Sequence, residues 1–170
     1  MLSIEERPLE VADRTMPGHW EGDLILGKQK CTALGTLVER TTRYTILVPL
    51  NAKDATSVRK AYAKELRSLP REITKTLTYD QGKEMSGHKQ FTLDTGIAVY
   101  FAHPGSPWER GTNENTNGLI RQYFPKGTEF DKVSAREIKR VQRELNDRPR
   151  AVLHRKKPIE VINHLVALKV

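Results

Sequence analysis

Trp20-Glu21-Gly22-Asp23-Leu24-Ile25-Leu26-Gly27 is an apolar run set between Gly18 and Gly27, with an acid at its centre. Successive side chains of a pleated strand point to opposite faces, so Asp23 and Ile25 share one face while Leu24 and Leu26 share the other. The runs Thr32 to Glu39 and Tyr44 to Leu50 read as two more strands, and Arg40-Thr41-Thr42-Arg43 between them suits a tight hairpin. Three strands joined by short connections predict an antiparallel meander.

At Asn51 the period changes. Asn51-Ala52-Lys53-Asp54 supplies an N-cap and an acid for a first helical turn, and Val58, Ala61, Tyr62, Leu66 and Leu69 then recur at helical spacing up to Pro70. Ile73 to Tyr79 is rich in β-branched residues and predicts a fourth strand ending at Asp80-Gln81-Gly82. A helix between a meander and a further strand predicts a crossover that adds the strand in parallel. A short helix around Met85, Phe91 and Leu93 and a fifth strand from Ile97 to Phe101 repeat the move. His103-Pro104-Gly105-Ser106-Pro107 reads as a loop, after which Trp108 to Leu119 turns into a helix with Glu114 near its start. Two more helices follow, one opened by the capping box Ser134-Ala135-Arg136-Glu137 and one by Pro158. The fold class expected is α/β: a five-stranded mixed sheet flanked by helices. Residues 1–17, polar and without a clean period, are expected to be a lead-in or linker to a core spanning 18–170.

Composition narrows the function. At 170 residues the chain suits one domain with a full core. No window approaches the ~20 apolar residues of a membrane span, and no secretory leader opens the chain, so no membrane partner is expected. The single cysteine, Cys31, excludes an internal disulfide and a Cys-rich zinc site, and the five histidines lack ligand spacing; a reducing cytoplasm fits. Lys and Arg total 29 against 21 acids, a net charge of +8 that favours a polyanionic partner such as nucleic acid.

Taken singly, Asp23, Asp80 and Glu114 each have an ordinary structural role: a strand acid paired with a base, a turn former ahead of Gln81-Gly82, and a helix-start acid. The deduced topology brings all three to one sheet edge, where strand ends meet helix starts. Carboxylates gathered there repel one another unless a cation sits among them, and oxygen-only ligation selects Mg²⁺ or Mn²⁺ over Zn²⁺. Two such ions suit in-line displacement at a phosphodiester.

Three runs carry a resemblance: His19 to Ile25, Leu77 to Glu84 (Leu-Thr-Tyr-Asp-Gln-Gly-Lys-Glu), and Ser106 to Leu119 (Ser-Pro-Trp-Glu-Arg-Gly-Thr-Asn-Glu-Asn-Thr-Asn-Gly-Leu). Together with Gln122-Tyr123-Phe124-Pro125-Lys126-Gly127 and Leu145-Asn146-Asp147-Arg148-Pro149-Arg150 they resemble the catalytic core of bacterial insertion-sequence transposases of the group numbered thirty. The resemblance implies a ribonuclease H-like fold and a DDE transposase/integrase core, with Asp23, Asp80 and Glu114 as catalytic and metal-binding residues. It implies two Mg²⁺ (or Mn²⁺) ions and a two-metal polynucleotidyl transferase that cleaves transposon ends and joins the 3′-hydroxyl to target DNA. The separation of Asp80 and Glu114, 33 residues (114 − 80 − 1), is the one the family pattern calls for. It further implies a homo-oligomer in the active complex and a bacterial, nucleoid-associated cytoplasmic location. The longer chains of this family carry an N-terminal DNA-binding region, so the sequence is expected to be an excised or truncated catalytic domain. Two alternatives remain at this stage: a ribonuclease H-type nuclease without strand transfer, and a non-catalytic DNA-binding remnant.

Helical spacing sets Arg110, Asn117, Gly118 and Arg121 on or beside the Glu114 face. Arg110 and Arg121 are candidate phosphate contacts; Asn113 and Asn117 are candidates for hydrogen bonds to DNA or to metal-bound water. Lys126 and the basic run Arg148, Arg150, Arg155, Lys156 and Lys157 are candidate DNA-backbone contacts. Trp108, in the loop before this helix, is expected to pack against the core, with stacking on an unpaired base as the alternative.

Overall fold

The computed structural model describes residues 1–168; the last two residues of the expected 18–170 core lie outside them. Six strands form one mixed sheet: β1 (Leu2–Ser3), β2 (His19–Leu26), β3 (Ala33–Glu39), β4 (Thr45–Pro49), β5 (Thr76–Tyr79) and β6 (Ala98–Phe101), in the order β1-β6-β5-β2-β3-β4. The meander is present, β2, β3 and β4 pairing antiparallel with Asp23 opposite Thr36. Helices α2 (Ala55–Arg67) and α3 (His88–Thr95) are the crossovers that return β5 and β6 parallel to β2. Helices α4 (Gly111–Tyr123), α5 (Ala135–Asn146) and α6 (Pro158–Leu168) complete the chain, while α1 (Glu10–Asp13) is a single turn.

The α/β class and the mixed topology are as expected; the strand count is six rather than five. The extra strand comes from the lead-in. Leu2 and Ser3 pair in parallel with Tyr100 and Phe101, and Ser3 then caps a short 3₁₀ turn, its hydroxyl accepting from Glu5 N (3.3 Å) while its own N–H donates to Glu6 Oε1 (2.8 Å). Two residues show no alternation, so this strand is invisible to a period-2 reading. The same segment buries Val11 and is tied down by Arg7, which donates to Thr78 Oγ1 (3.1 Å), and by Arg40, which donates to the Val11 carbonyl (3.2 Å).

Both sheet faces are covered. One packs Trp20, Leu37, Val48, Leu77 and Val99 against Val58, Tyr62 and Leu66 of α2 and Phe91 of α3. The other packs Ile25, Leu34 and Leu47 against Ile120 of α4 and Ile138, Val141 and Leu145 of α5. The alternation expected of β2 therefore holds: Leu24 leans on the first cluster and Ile25 belongs to the second, which turns Asp23 toward α4. Asp54 rather than Asn51 caps α2, accepting from Ser57 N at 2.8 Å, and Leu93 points to solvent instead of the core. Among the described residues no helix is long and apolar enough to cross a membrane.

Candidate active site

Sheet register builds the site. Glu21 of β2 lies beside Thr78 of the parallel β5. Two residues further along come Asp23, still within β2, and Asp80, the first residue past the end of β5, both on that face by the two-residue period. Helix α4 crosses that face and brings Glu114 in its first turn, where unpaired N–H groups favour a negative side chain.

The three acids meet on one cation, the guanidinium of Arg110. Its Nη1 lies 3.3 Å from Asp23 Oδ2, and its Nη2 lies 3.5 Å from Glu114 Oε1 and 3.7 Å from Asp80 Oδ2. Arg110 is only 6% exposed and also donates to the Gly22 carbonyl (3.3 Å), so it is held inside the site and is not a phosphate contact on an open surface. Among the described residues no three His, Cys, Asp or Glu side chains stand close enough to form a metal-ligand cluster, and the charge that offsets the acids here is Arg110.

The titration directions follow. Burial pushes the Asp23 carboxyl above its ordinary value against the pull of Arg110. Burial, then the Asp23 charge, pushes Glu114 up as well. Burial alone would lower Arg110, but Asp23, Asp80 and Glu114 together hold it above its usual value. Such a cluster favours positive charge at its centre.

Asp23 is fixed at both oxygens: Oδ1 accepts from Leu24 N (2.8 Å) and Oδ2 from Asn117 Nδ2 (3.0 Å). Its carbonyl accepts from the Tyr62 hydroxyl at 2.6 Å, which ties the strand to α2. Asp80 keeps the turn-forming role as well, accepting from Gly82 N at 2.9 Å.

The remaining candidates divide. Asn113 is fully buried and turned from solvent, donating through Nδ2 to Thr36 Oγ1 (3.2 Å) and the Glu21 carbonyl (3.4 Å); it docks α4 on the sheet. Arg121 donates to the Leu26 and Phe124 carbonyls and braces the end of β2. Arg150 is buried and donates to the Leu145 carbonyl, so it too faces inward. Lys126, Arg148, Arg155 and Lys156 are exposed, and Lys157 is half-buried beside Asp147 at 3.0 Å. Gly118 has open space around its Cβ position and brings nothing close.

Sequence reasoning passed over Glu21 and Arg40. Both are buried, with Arg40 Nη1 3.1 Å from Glu21 Oε2, directly behind the triad. The signal was present: Glu21 shares the strand face of Asp23, two residues away.

The loop before α4 closes on Glu109, which accepts from His103 N through Oε2 and pairs with His103 Nδ1 through Oε1, both at 2.7 Å. Glu109 raises the His103 pKa through this hydrogen bond and its charge, and the same bond holds Glu109 below its usual value against the opposing effect of burial. A raised imidazole pKa means the pairing contributes fully below the unfolded value of about 6.5 and fades as pH rises through the folded value. In an NMR titration, His103 is expected to titrate above 6.5, and Glu109→Gln to bring it back; an unshifted midpoint in the unsubstituted chain contradicts the pairing.

A mixed sheet of this order, with one acid on a strand, one just past the end of its parallel neighbour and one on the helix across them, defines the ribonuclease H-like class of folds. The bovine immunodeficiency virus integrase catalytic core has the same fold, with a TM-score of 0.66 at 16% identity over 89% of this chain and 97% of that one. Residues 13–107 match the integrase core domain family, and the chain belongs to that family. The matched span includes Asp23 and Asp80 and stops short of Glu114. Over 165 residues, 97% of its length, the chain is 50% identical to the transposase InsI for insertion sequence element IS30A of Escherichia coli K12. Over 167 residues it is 48% identical to the transposase for element IS1086 of Cupriavidus metallidurans. It spans 43% and 49% of these two relatives.

Proposed function

We propose that the chain is the catalytic core of a DDE transposase: a polynucleotidyl transferase that cleaves DNA at the ends of a mobile element and joins the freed end to target DNA. The observation that carries this is the convergence of Asp23, Asp80 and Glu114 on one buried cation. The names of its relatives, transposases at about half identity, support the substrate class.

The donor set suits a hard divalent ion, being three carboxylates with oxygen ligands alone and too few charges around them to balance their own. Asp23, Asp80 and Glu114 would hold Mg²⁺ or Mn²⁺, two ions by the general logic of phosphodiester displacement. Bound there, the ions supply neutralisation of phosphate charge and a more acidic water. Asn117 and the Leu24 N–H keep Asp23 in one orientation, and Arg110 tempers repulsion among the acids.

In the first step a water oxygen bonds to phosphorus, the bond to the 3′ oxygen breaks, and a 3′-hydroxyl is released. In the second that hydroxyl attacks a target phosphodiester and displaces its 3′ oxygen. Both steps need mainly positioning and charge neutralisation. Lys126, Arg148, Arg155 and Lys156 are the exposed cations we assign to the DNA backbone, so binding should weaken steeply with salt. Two element ends must be joined in concert, which calls for a homo-oligomer.

Incubation with element-end DNA, target DNA and Mg²⁺ tests the proposal: 3′-end cleavage followed by joined product is expected. Cleavage of RNA–DNA hybrid without joining would favour a ribonuclease H-type nuclease instead.

Arg110 gives a second test. In metal-free buffer Arg110→Met should lose about 1–3 kcal/mol, chiefly from the less exposed Asp23, because Asp80 and Glu114 are partly screened by water. Mg²⁺ should narrow the deficit in a thermal melt. A deficit that Mg²⁺ leaves unchanged would mean the acids do not take the ion.

A further inference from the structure

Trp108 does not pack against the core: it is 72% exposed, and among the described residues it is the one aromatic side chain left in that state. An indole offers one of the largest burial gains of any side chain, so its display in water asks for an explanation. The display is built. Ser106 N donates to the His103 carbonyl (3.2 Å), Glu109 N to the Ser106 carbonyl (3.1 Å), and the Glu109 carboxylate clamps His103 from the other side. The loop is thus closed at the residue after the tryptophan.

Its place in the chain is equally constrained. One residue, Glu109, separates Trp108 from Arg110, so their Cα atoms lie within about 7 Å, and Arg110 touches all three acids. A lone ring among Ser106, His103 and Glu109 is a poor protein-docking surface, which needs roughly 800 Å² from each partner. It matches a single flat π-face. Within a duplex both faces of a base are already stacked; only a base at an end, or one taken out of its pair, has a face to offer.

We propose that Trp108 is a stacking platform for an unpaired base of the DNA next to the phosphodiester undergoing reaction. This rests on the transposase reading and adds a requirement to it: the DNA beside the reacting phosphate is locally unpaired when bound. The ring holds the strand end at the edge of the acid cluster, and as sequence-tolerant stacking it carries little base preference.

The protein's two tryptophans make the test direct. Trp20 is fully buried, with Nε1 donating to the Ile73 carbonyl at 2.7 Å, so it reports the fold and not the surface. Fluorescence is followed in metal-free, low-salt buffer while the protein is titrated with a blunt duplex, the same duplex with a short single-stranded tail, and a single-stranded oligonucleotide. The tailed and single-stranded DNA should quench the Trp108 emission and the blunt duplex should not. Affinity for the tailed duplex should fall about 5- to 140-fold in Trp108→Leu, the equivalent of ~1–3 kcal/mol of stacking, and be largely kept in Trp108→Phe. Binding without quenching, or equal losses in the Leu and Phe variants, overturns the stacking role and leaves the transposase reading standing. No binding of any DNA by the unsubstituted chain overturns both.

Discussion

Asp23→Asn is expected to reduce Mg²⁺-dependent cleavage by on the order of 100- to 1000-fold, with Asp80→Asn and Glu114→Gln losing comparable amounts. Charge stabilisation aimed at the reacting phosphate is the main service such a site gives, and each substitution removes one full charge from it. The three should differ in stability. Asp80 and Glu114 side chains are 43% and 44% exposed, so their amides cost the fold little. At Asp23 two effects oppose. The amide ends the penalty of holding a buried charge, the penalty that raises this carboxyl's pKa. It also sets an NH₂ group against either Arg110 or Asn117, both of which donate to the carboxylate now. The net change in a melt should stay within about 1 kcal/mol of zero, a size at which surface and near-surface substitutions commonly fall. A gel assay of cleavage and joining, run beside a thermal melt, separates lost chemistry from lost fold. Full activity in any of the three variants sinks the assignment of that acid.

How much of this was legible follows from the range of each interaction. Asp23 was visible because an acid in an alternating apolar strand contradicts its surroundings within a window of five residues. The strand pairing was visible because hairpin turns and crossover helices have local signatures in Thr32 to Leu50 and in Val58 to Leu69. The state of Arg110 was not legible. Helical spacing puts it beside Glu114, but whether a guanidinium turns out to phosphate or in to carboxylates depends on Asp23 and Asp80, 87 and 30 residues away in sequence. The same holds for Asn113, whose partners Glu21 and Thr36 lie across the sheet, and for Arg150, which bends back to Leu145. Trp108 fails in the opposite sense: the statistics of tryptophan favour the core, and only the local closure by Glu109 and His103 displays it. The edge strand Leu2–Ser3 is too short to have a period at all.

The largest effect on stability is expected behind the site rather than in it. Glu21 is 0% exposed and Arg40 5%, their charged groups 3.1 Å apart, with Arg40 Nε also donating to the Val11 carbonyl at 3.2 Å. Burial pulls the Arg40 pKa down and the Glu21 charge opposes it, the signature of a cation kept charged by its partner. Arg40→Met leaves the Glu21 carboxylate with Asn113 N at 3.5 Å as its remaining hydrogen-bond contact, a buried charge without its direct ion-pair partner, Arg7 and Arg43 acting on it only from further off. The cost should be about 3–5 kcal/mol. At roughly 2–4 °C per kcal/mol for a domain of this size, the melting point should fall by roughly 6–20 °C. The double variant Glu21→Leu with Arg40→Met removes both charges, and it should recover much of the loss, since an apolar pair of similar volume is often no worse than a buried ion pair. Urea melts of the single and double variants measure the difference as a coupling energy. A single variant that costs under 1 kcal/mol would show that water reaches Glu21. The consequence for the site is mechanical: Glu21 precedes Asp23 on the same face, and its carbonyl takes the Asn113 amide that docks α4 and Glu114. An Arg40 variant still folded at low temperature should therefore cleave poorly, although Arg40 makes no contact with any of the three acids.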